Sequence, residues 1–285
     1  MLIDTHAHLN FIAFNKDREE VIKKCLEENV RMINVGTNYE TSKKAIEIAE
    51  KYEKGIFASI GLHPINLDTG LVKIKIDEKE GNHFEKAFDY EKYKGLARSA
   101  SSGRVVAIGE IGLDYYWKPK TKRKLEFFKE KQRSGLCQQL DLATELNLPV
   151  IFHCRMAHQD LIQTLQQSNT PTIKGVMHGF VGTLEQLKEY LKMGLYIGFN
   201  GIIFKKIEGT NFEEIVKNTP LEKILIETDC PYLTPPPAAA GGGTVRNEPL
   251  NVKYVAQKIA EIKNTNFERV AEITTKNARE LFKLE

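Results

Sequence analysis

A chain of 285 residues that is 41% apolar and 28% charged has the make-up of a soluble globular protein long enough to bury a sizeable core. No apolar run approaches the roughly 18–20 residues needed to span a bilayer, and a net charge of +3 is too small to argue for a nucleic-acid partner by itself. Four cysteines without C-x-x-C pairing (Cys25, Cys137, Cys154 and Cys230) read as reduced thiols rather than a disulfide framework.

The first strand-like run, 2–6, passes into DTHAH and leads through an amphipathic stretch at 17–28 to a second run at 31–35. A helix-like stretch at 40–52 joins that run to the third, 56–62. A long polar segment at 67–94 is expected to decorate the loop and helix that follow. The fourth run, 104–108, precedes GEIGLDY, and a charged helical stretch at 120–145 leads to the fifth, 149–152. Helix-like 158–167, a sixth run at 175–178, helix-like 184–192 and a seventh run at 195–199 continue the alternation. A loop rich in lysine and glycine at 200–211 then precedes the eighth run, 223–227. The low-complexity stretch at 235–245 reads as a mobile loop. Most of the runs are nearly continuously apolar, as strands buried on both faces are. Eight strand–helix repeats with no linker predict one α/β domain over 1–285, a single (β/α)8 TIM barrel. An open doubly wound sheet is the alternative, but it would gather its reactive residues near one switch point.

The histidines carry the chemistry. Of seven, five fall at the downstream ends of predicted strands: His6, His8, His63, His153 and His178. Glu110 and Asp229 hold equivalent places after the fourth and eighth runs. In a barrel those ends meet at one mouth. Residues two apart on a strand face the same way, so His6 and His8 can both point inward. A lone histidine at a strand end is ordinarily a hydrogen-bonded structural residue. Ligand-type side chains at matching ends of most strands argue instead for a metal centre. Imidazoles suit zinc-like ions and carboxylates suit Mg²⁺ or Mn²⁺, and four histidines with two carboxylates suffice for two divalent ions, one carboxylate bridging them. His83 and His158 lack such placement and read as surface residues.

Arg155 and His63 sit at the same mouth but fit another task. Arginine stays protonated and cannot ligate a cation, and its planar fork suits a phosphate. His63, held extended by Pro64, could donate a hydrogen bond to a phosphate or protonate a departing oxygen. Asp229 either orients or deprotonates a water or is a plain ligand. Asp4 and Glu227, each two residues before a ligand candidate, can orient imidazoles or form a salt bridge inside the barrel. Past GEIGLDY, Tyr115, Tyr116 and Trp117 could stack on bases, and Lys118, Lys120, Lys122, Arg123 and Lys124 could meet phosphates; a solvated helix face is the plainer reading of the lysines.

DTHAHL, GLHP, GEIGLDY, the HCR after PVIF, GVMHGF, ETDCPYL and RNEP occur in this order and span almost the whole chain. With them the sequence resembles the TatD family of metal-dependent deoxyribonucleases, among the amidohydrolase-like metal barrels. It departs from the family's pattern at Gly179, where a cysteine is usual, in the longer segment after GLHP and in the Ala/Gly run before RNEP. The resemblance implies that His6, His8 and Asp229 hold one metal, that His153 and His178 hold a second, and that Glu110 bridges them. It also implies phosphodiester hydrolysis of DNA, commonly 3′-to-5′ on single strands, with Mg²⁺, Mn²⁺ or Zn²⁺ as cofactor. Alternatives on the same centre are a small-molecule amidohydrolase or lactonase and an aminoacyl-tRNA deacylase. No membrane or obligate protein partner is expected. The chain runs straight into DTHAH with no basic region before an apolar stretch, so a cytoplasmic location is expected.

Overall fold

The computed structural model describes residues 1–72, 78–81, 84–168, 173–239 and 245–285. The strands are β1 (Leu2–Ala7), β2 (Val30–Val35), β3 (Ile56–Ile60), β4 (Val105–Asp114), β5 (Val150–Arg155), β6 (Gly175–Met177), β7 (Tyr196–Phe199) and β8 (Ile224–Ile226). Each pairs in parallel with the next, giving one sheet in the order β1 to β8. A bridge between Ala7 and Cys230 brings the ends of the sheet together. Hydrogen bonds reinforce this seam, from Asp229 N–H to the His6 carbonyl at 2.8 Å and from His8 N–H to the Cys230 carbonyl at 2.9 Å. The expected eight-stranded barrel is therefore present.

The helices among the described residues are α1 (Arg18–Glu27), α2 (Tyr39–Glu50), α3 (Tyr90–Ser99), α4 (Lys122–Leu146), α5 (His158–Gln167), α6 (Leu184–Lys192), α7 (Phe212–Asn218), α8 (Val252–Lys263) and α9 (Phe267–Phe282). Their starts are written locally. Asn38 and Thr183 form capping boxes at α2 and α6, and Asn266 caps α9 through Arg269 N–H. Left-handed Asn147 and Asn264 end α4 and α8. The helices bury their apolar faces against the outside of the barrel. A second apolar cluster takes residues from all eight strands, among them Ile3, Phe57, Ile151 and Leu225, and adds Leu281, Phe282 and Leu284 from the end of the chain. One end of the barrel is thus filled with hydrocarbon, and polar chemistry is confined to the other.

Two features shape the rim. β4 is longer than the sequence suggested, running on to Asp114. A Cβ on Gly112, at φ +152, would overlap the His153 carbonyl, so glycine lets β4 lie close against β5. The described part of the 67–94 segment crosses the rim rather than projecting from it. The Lys79 carbonyl accepts from Ala13 N–H, and the Glu80 carboxylate accepts from the Thr37 hydroxyl and from Asn66 Nδ2. Positions 73–77 and 82–83 of that segment, with His83, lie outside the described residues, as do 240–244 of the 235–245 loop. No helix among the described residues is long and apolar enough to cross a membrane, and all four cysteines are free.

Candidate metal centre

The six ligand candidates lie on or just past β1, β4, β5, β6 and β8, and the barrel brings all of them together. Glu110, on β4, lies at the centre. Its Oε2 is 3.3 Å from His6 Nε2, and its Oε1 is 2.7 Å from His153 Nδ1 and 3.8 Å from His178 Nε2. Asp229, just past β8, places Oδ1 3.4 Å from His8 Nε2 and 4.0 Å from both His6 Nε2 and His178 Nε2. The Nε2 atoms of His6 and His8 face each other at 3.1 Å. Among the described residues, His6, His8 and Glu110 form one group whose ligand atoms lie within 4.8 Å of one another, and His63, Glu110 and His153 form a second.

The outer hydrogen bonds decide which ring nitrogen has a free lone pair. His8 Nδ1 lies 2.9 Å from the Val35 carbonyl, which can only accept. Nδ1 therefore carries the proton, and the neutral ring turns a bare Nε2 into the cluster. His178 Nδ1 pairs with the Glu227 carboxylate at 2.8 Å but without the angle of a hydrogen bond; that carboxylate accepts from Gly179 N–H at 2.6 Å and Asn200 Nδ2 at 3.3 Å. His63 is the opposite case. Its Nδ1 accepts from Ile65 N–H at 3.0 Å, so the neutral ring has its proton on Nε2, 3.6 Å from Glu110 Oε1. Proximity groups His63 with the metal-type residues, but its tautomer makes Nε2 a donor and not a ligand.

Charge balance makes the same case for cations. Burial would raise the Glu110 carboxyl, but His63, His6 and His178 overcome it and hold the group well below the usual carboxylate range. Burial works against protonation of His178, yet Glu227 and Glu110 push its pKa up to about 10. Asp114 and Glu110 likewise overcome burial to raise His153 to about 9. Burial, with His153 beside it, lowers His63 to about 3. Buried carboxylates thus draw protons onto imidazoles where divalent cations would satisfy the same charge. Bare Nε2 atoms converging with carboxylates form a donor set that fits such ions.

Several residues depart from expectation. Tyr115 was expected to contact substrate, but its ring is buried and its hydroxyl donates to Asp160 at 3.0 Å, so it has no face free for a base. Ile111, Leu113 and Tyr115 alternate toward the helix layer, which leaves Asp114 and Tyr116 for the mouth. Arg155 is at the rim, its guanidinium 3.6 Å from the centre of the Tyr116 ring and outside the ligand cluster. Glu227 does orient an imidazole, but Asp4 does not. An irregularity in β1 between Asp4 and Ala7 breaks the two-residue alternation. The Asp4 carboxylate instead accepts from His6 N–H at 3.2 Å and from the amide and hydroxyl of Thr228 at 2.9 and 2.5 Å. His158 is buried rather than on the surface, bonded to the Tyr190 hydroxyl and the Val181 carbonyl, each at 2.8 Å. The sequence reading also overlooked Asp114, whose Oδ2 lies 3.1 Å from His153 Nε2. Its signal was the even spacing from Glu110 within GEIGLDY.

Comparison with known proteins agrees with this geometry. The model of the family "TatD related DNase" matches residues 3–283. An uncharacterized metal-dependent hydrolase of Bacillus subtilis, YabD, is 39% identical over 100% of both chains. A protein of Pantoea ananatis named 3'-5' ssDNA/RNA exonuclease TatD is 32% identical over 99% of this chain and 100% of its own length. The crystal structure of YjjV, a TatD homologue from Escherichia coli, superimposes with a TM-score of 0.80 at 28% identity, covering 100% of this chain and 98% of that one. With the metal-type residues gathered at the mouth of the same barrel, the chain belongs to the TatD family of metal-dependent hydrolases.

Proposed function

We propose that the protein hydrolyses phosphodiester bonds of DNA, removing nucleotides in the 3′-to-5′ direction with the help of two divalent ions. The observation that carries the reading is the arrangement around Glu110, whose two oxygens face different imidazoles, His6 on one side and His153 and His178 on the other. His6, His8 and Asp229 are assigned to one ion, His153 and His178 to the second, and Glu110 to both. Mg²⁺, Mn²⁺ or Zn²⁺ bound there would make a hydroxide nucleophile accessible near neutral pH and stabilise the attacking and departing oxygens.

The remaining steps belong to the chain's own side chains. Asp229 Oδ1, whose nearest ion-pair approach among the described residues is 3.4 Å to His8, is the acceptor for the proton of the attacking water. Glu227 pairs with His178 Nδ1 and so turns Nε2 toward the centre. His63 donates its Nε2 proton in a hydrogen bond to a phosphoryl oxygen, and Arg155 grips the same group with its fork. The name of the Pantoea relative supports a nucleic-acid substrate and the 3′-to-5′ sense. Four free thiols suit a reducing, cytoplasmic setting.

The test is hydrolysis of end-labelled single- and double-stranded DNA and of RNA, with either end blocked, in EDTA and then with each metal restored. Stepwise loss from a free 3′ end of DNA, abolished by EDTA and by a 3′ block, is expected. Full activity after exhaustive chelation, or turnover of lactones or aminoacyl esters alone, would overturn the reading.

A further inference from the structure

The rim beside His153 carries a group of side chains that neither the core nor the metal centre explains. Tyr116 and Trp117 are 46% and 47% exposed, and their rings meet edge to face at 5.0 Å. Large aromatic surfaces left in water next to a reaction centre are unusual in a folded protein. The Arg155 guanidinium lies over one face of Tyr116, 3.6 Å from the ring centre, and among the described residues no hydrogen bond or ion pair engages its N–H donors. The backbone is fixed to the centre as well: Tyr116 N–H donates to Asp114 Oδ1 at 2.9 Å, while the other oxygen of that carboxylate meets His153. Beyond Trp117, Lys118, Lys120, Lys122, Arg123 and Lys124 are all exposed on the same stretch.

We propose that Tyr116 and Trp117 form a stacking platform for an unpaired base of a single-stranded nucleic acid, set beside the nucleotide that is cleaved, with the cations after it following the phosphates. The proposal rests on the phosphodiesterase reading and adds a rule of substrate choice to it. A base inside a duplex has both faces covered by neighbours and cannot use the platform, so a strand must be unpaired next to its end. A patch meant for a protein partner would gain little from a run of lysines beside an aromatic pair. A polyanion with exposed ring faces matches both halves of the surface. Arg155 supports Tyr116 from one side, which holds the ring before substrate arrives and lowers the entropy lost on stacking.

The chain has a single tryptophan, Trp117, and this permits a direct test. The whole protein in EDTA is titrated with an oligothymidylate and with an abasic strand of equal length and phosphate count, while Trp117 emission and affinity are followed. The intact strand should quench the emission and bind at least about tenfold more tightly than the abasic one. Tyr116→Ala should bring that ratio close to one, and Tyr116→Phe, which keeps the ring, should restore it. Equal affinity for the two strands, or base-dependent binding without a change in Trp117 emission, overturns the proposal. If single strands are hydrolysed with no dependence on the base, the platform is wrong and the phosphodiesterase reading stands. If neither strand binds and no nucleic acid is cleaved with any metal, both fall.

Discussion

Replacing His63 removes two interactions that the geometry keeps separate. Its Nδ1 caps the short 3-10 turn Pro64–Asn66 by accepting from Ile65 N–H, and its Nε2–H points toward Glu110. Loss of the cap costs about 1 kcal/mol of stability. Loss of a donor to a charged phosphoryl oxygen costs about 1.5–3 kcal/mol, which corresponds to about 10- to 150-fold in kcat/KM. His63→Ala should therefore show both effects while binding metal like the wild type. His63→Asn should recover most of the stability, because asparagine is a good cap, but little of the rate, because its amide is too short to reach the same point. His178→Ala, by contrast, should lose metal along with activity. The assay is elemental analysis of each purified variant beside thermal unfolding and kinetics on one labelled oligonucleotide. Loss of a metal equivalent from His63→Ala would make His63 a ligand and refute the tautomer argument; unchanged kcat/KM would remove it from the reaction.

Glu110→Ala should remain folded and lose at least about 10²-fold in rate, by analogy with removal of one preorganised electrostatic group; a folded, nearly active variant would take Glu110 out of the site. Glu227→Ala removes the oxygen that accepts from Gly179 and Asn200 and faces His178 Nδ1, and should weaken metal affinity by about 10- to 100-fold, as read by competition with a chelator dye; an unchanged affinity would refute it. Neutralising Lys122, Arg123 and Lys124 together should flatten the salt dependence of DNA binding, and an unchanged slope would return them to an ordinary solvated helix face. Arg246 hydrogen-bonds Asp17 at 2.6 Å and holds its carboxyl below the usual range. Because that folded pKa is depressed, the stabilisation is fully present above the unfolded value of about 4 and is lost as pH falls through the folded one. With side chains 26% and 35% exposed, the pair contributes less than about 1 kcal/mol. The gap in thermal midpoint between Arg246→Met and wild type should narrow in acid; a constant gap would assign the effect to stacking on Phe14 instead.

What the sequence revealed follows from the barrel's geometry. A closed parallel barrel sends every downstream strand end to one mouth, so His6, Glu110, His153, His178 and Asp229 could be grouped from strand position alone. The failures come from alternation where it does not hold. A register shift between Gly109 and Ile111 in β4 changes the face that follows, so the parity that buries Tyr115 and turns Asp114 and Tyr116 to the rim does not carry on from the run 104–108. The irregularity in β1 shifts the parity of Asp4 in the same way, and composition announces neither. His158 was readable in principle: with Leu161, Ile162 and Leu165 it completes the buried stripe of α5. The tautomer of His63 depends on the Ile65 amide turning back onto its ring, and no residue pattern encodes that.

The seam between β1 and β8 has a consequence for how the protein matures. Asp4 and Thr228 are 224 positions apart, yet they share two hydrogen bonds. Closing a loop of that length costs about 5 kcal/mol of chain entropy, and a topology built on so distant a contact folds slowly. During synthesis His6 and His8 emerge long before Asp229, so a chain that stops short of Asp229 offers only part of the proposed metal site. An ion gripped by His6, His8 and Asp229 would join the first strand to the last and stabilise the closed barrel as its concentration rises above its dissociation constant. Under the proposed ligand set, catalytic metal and barrel closure are thermodynamically linked, and depletion of the ion weakens the fold at the same seam that assembles the site.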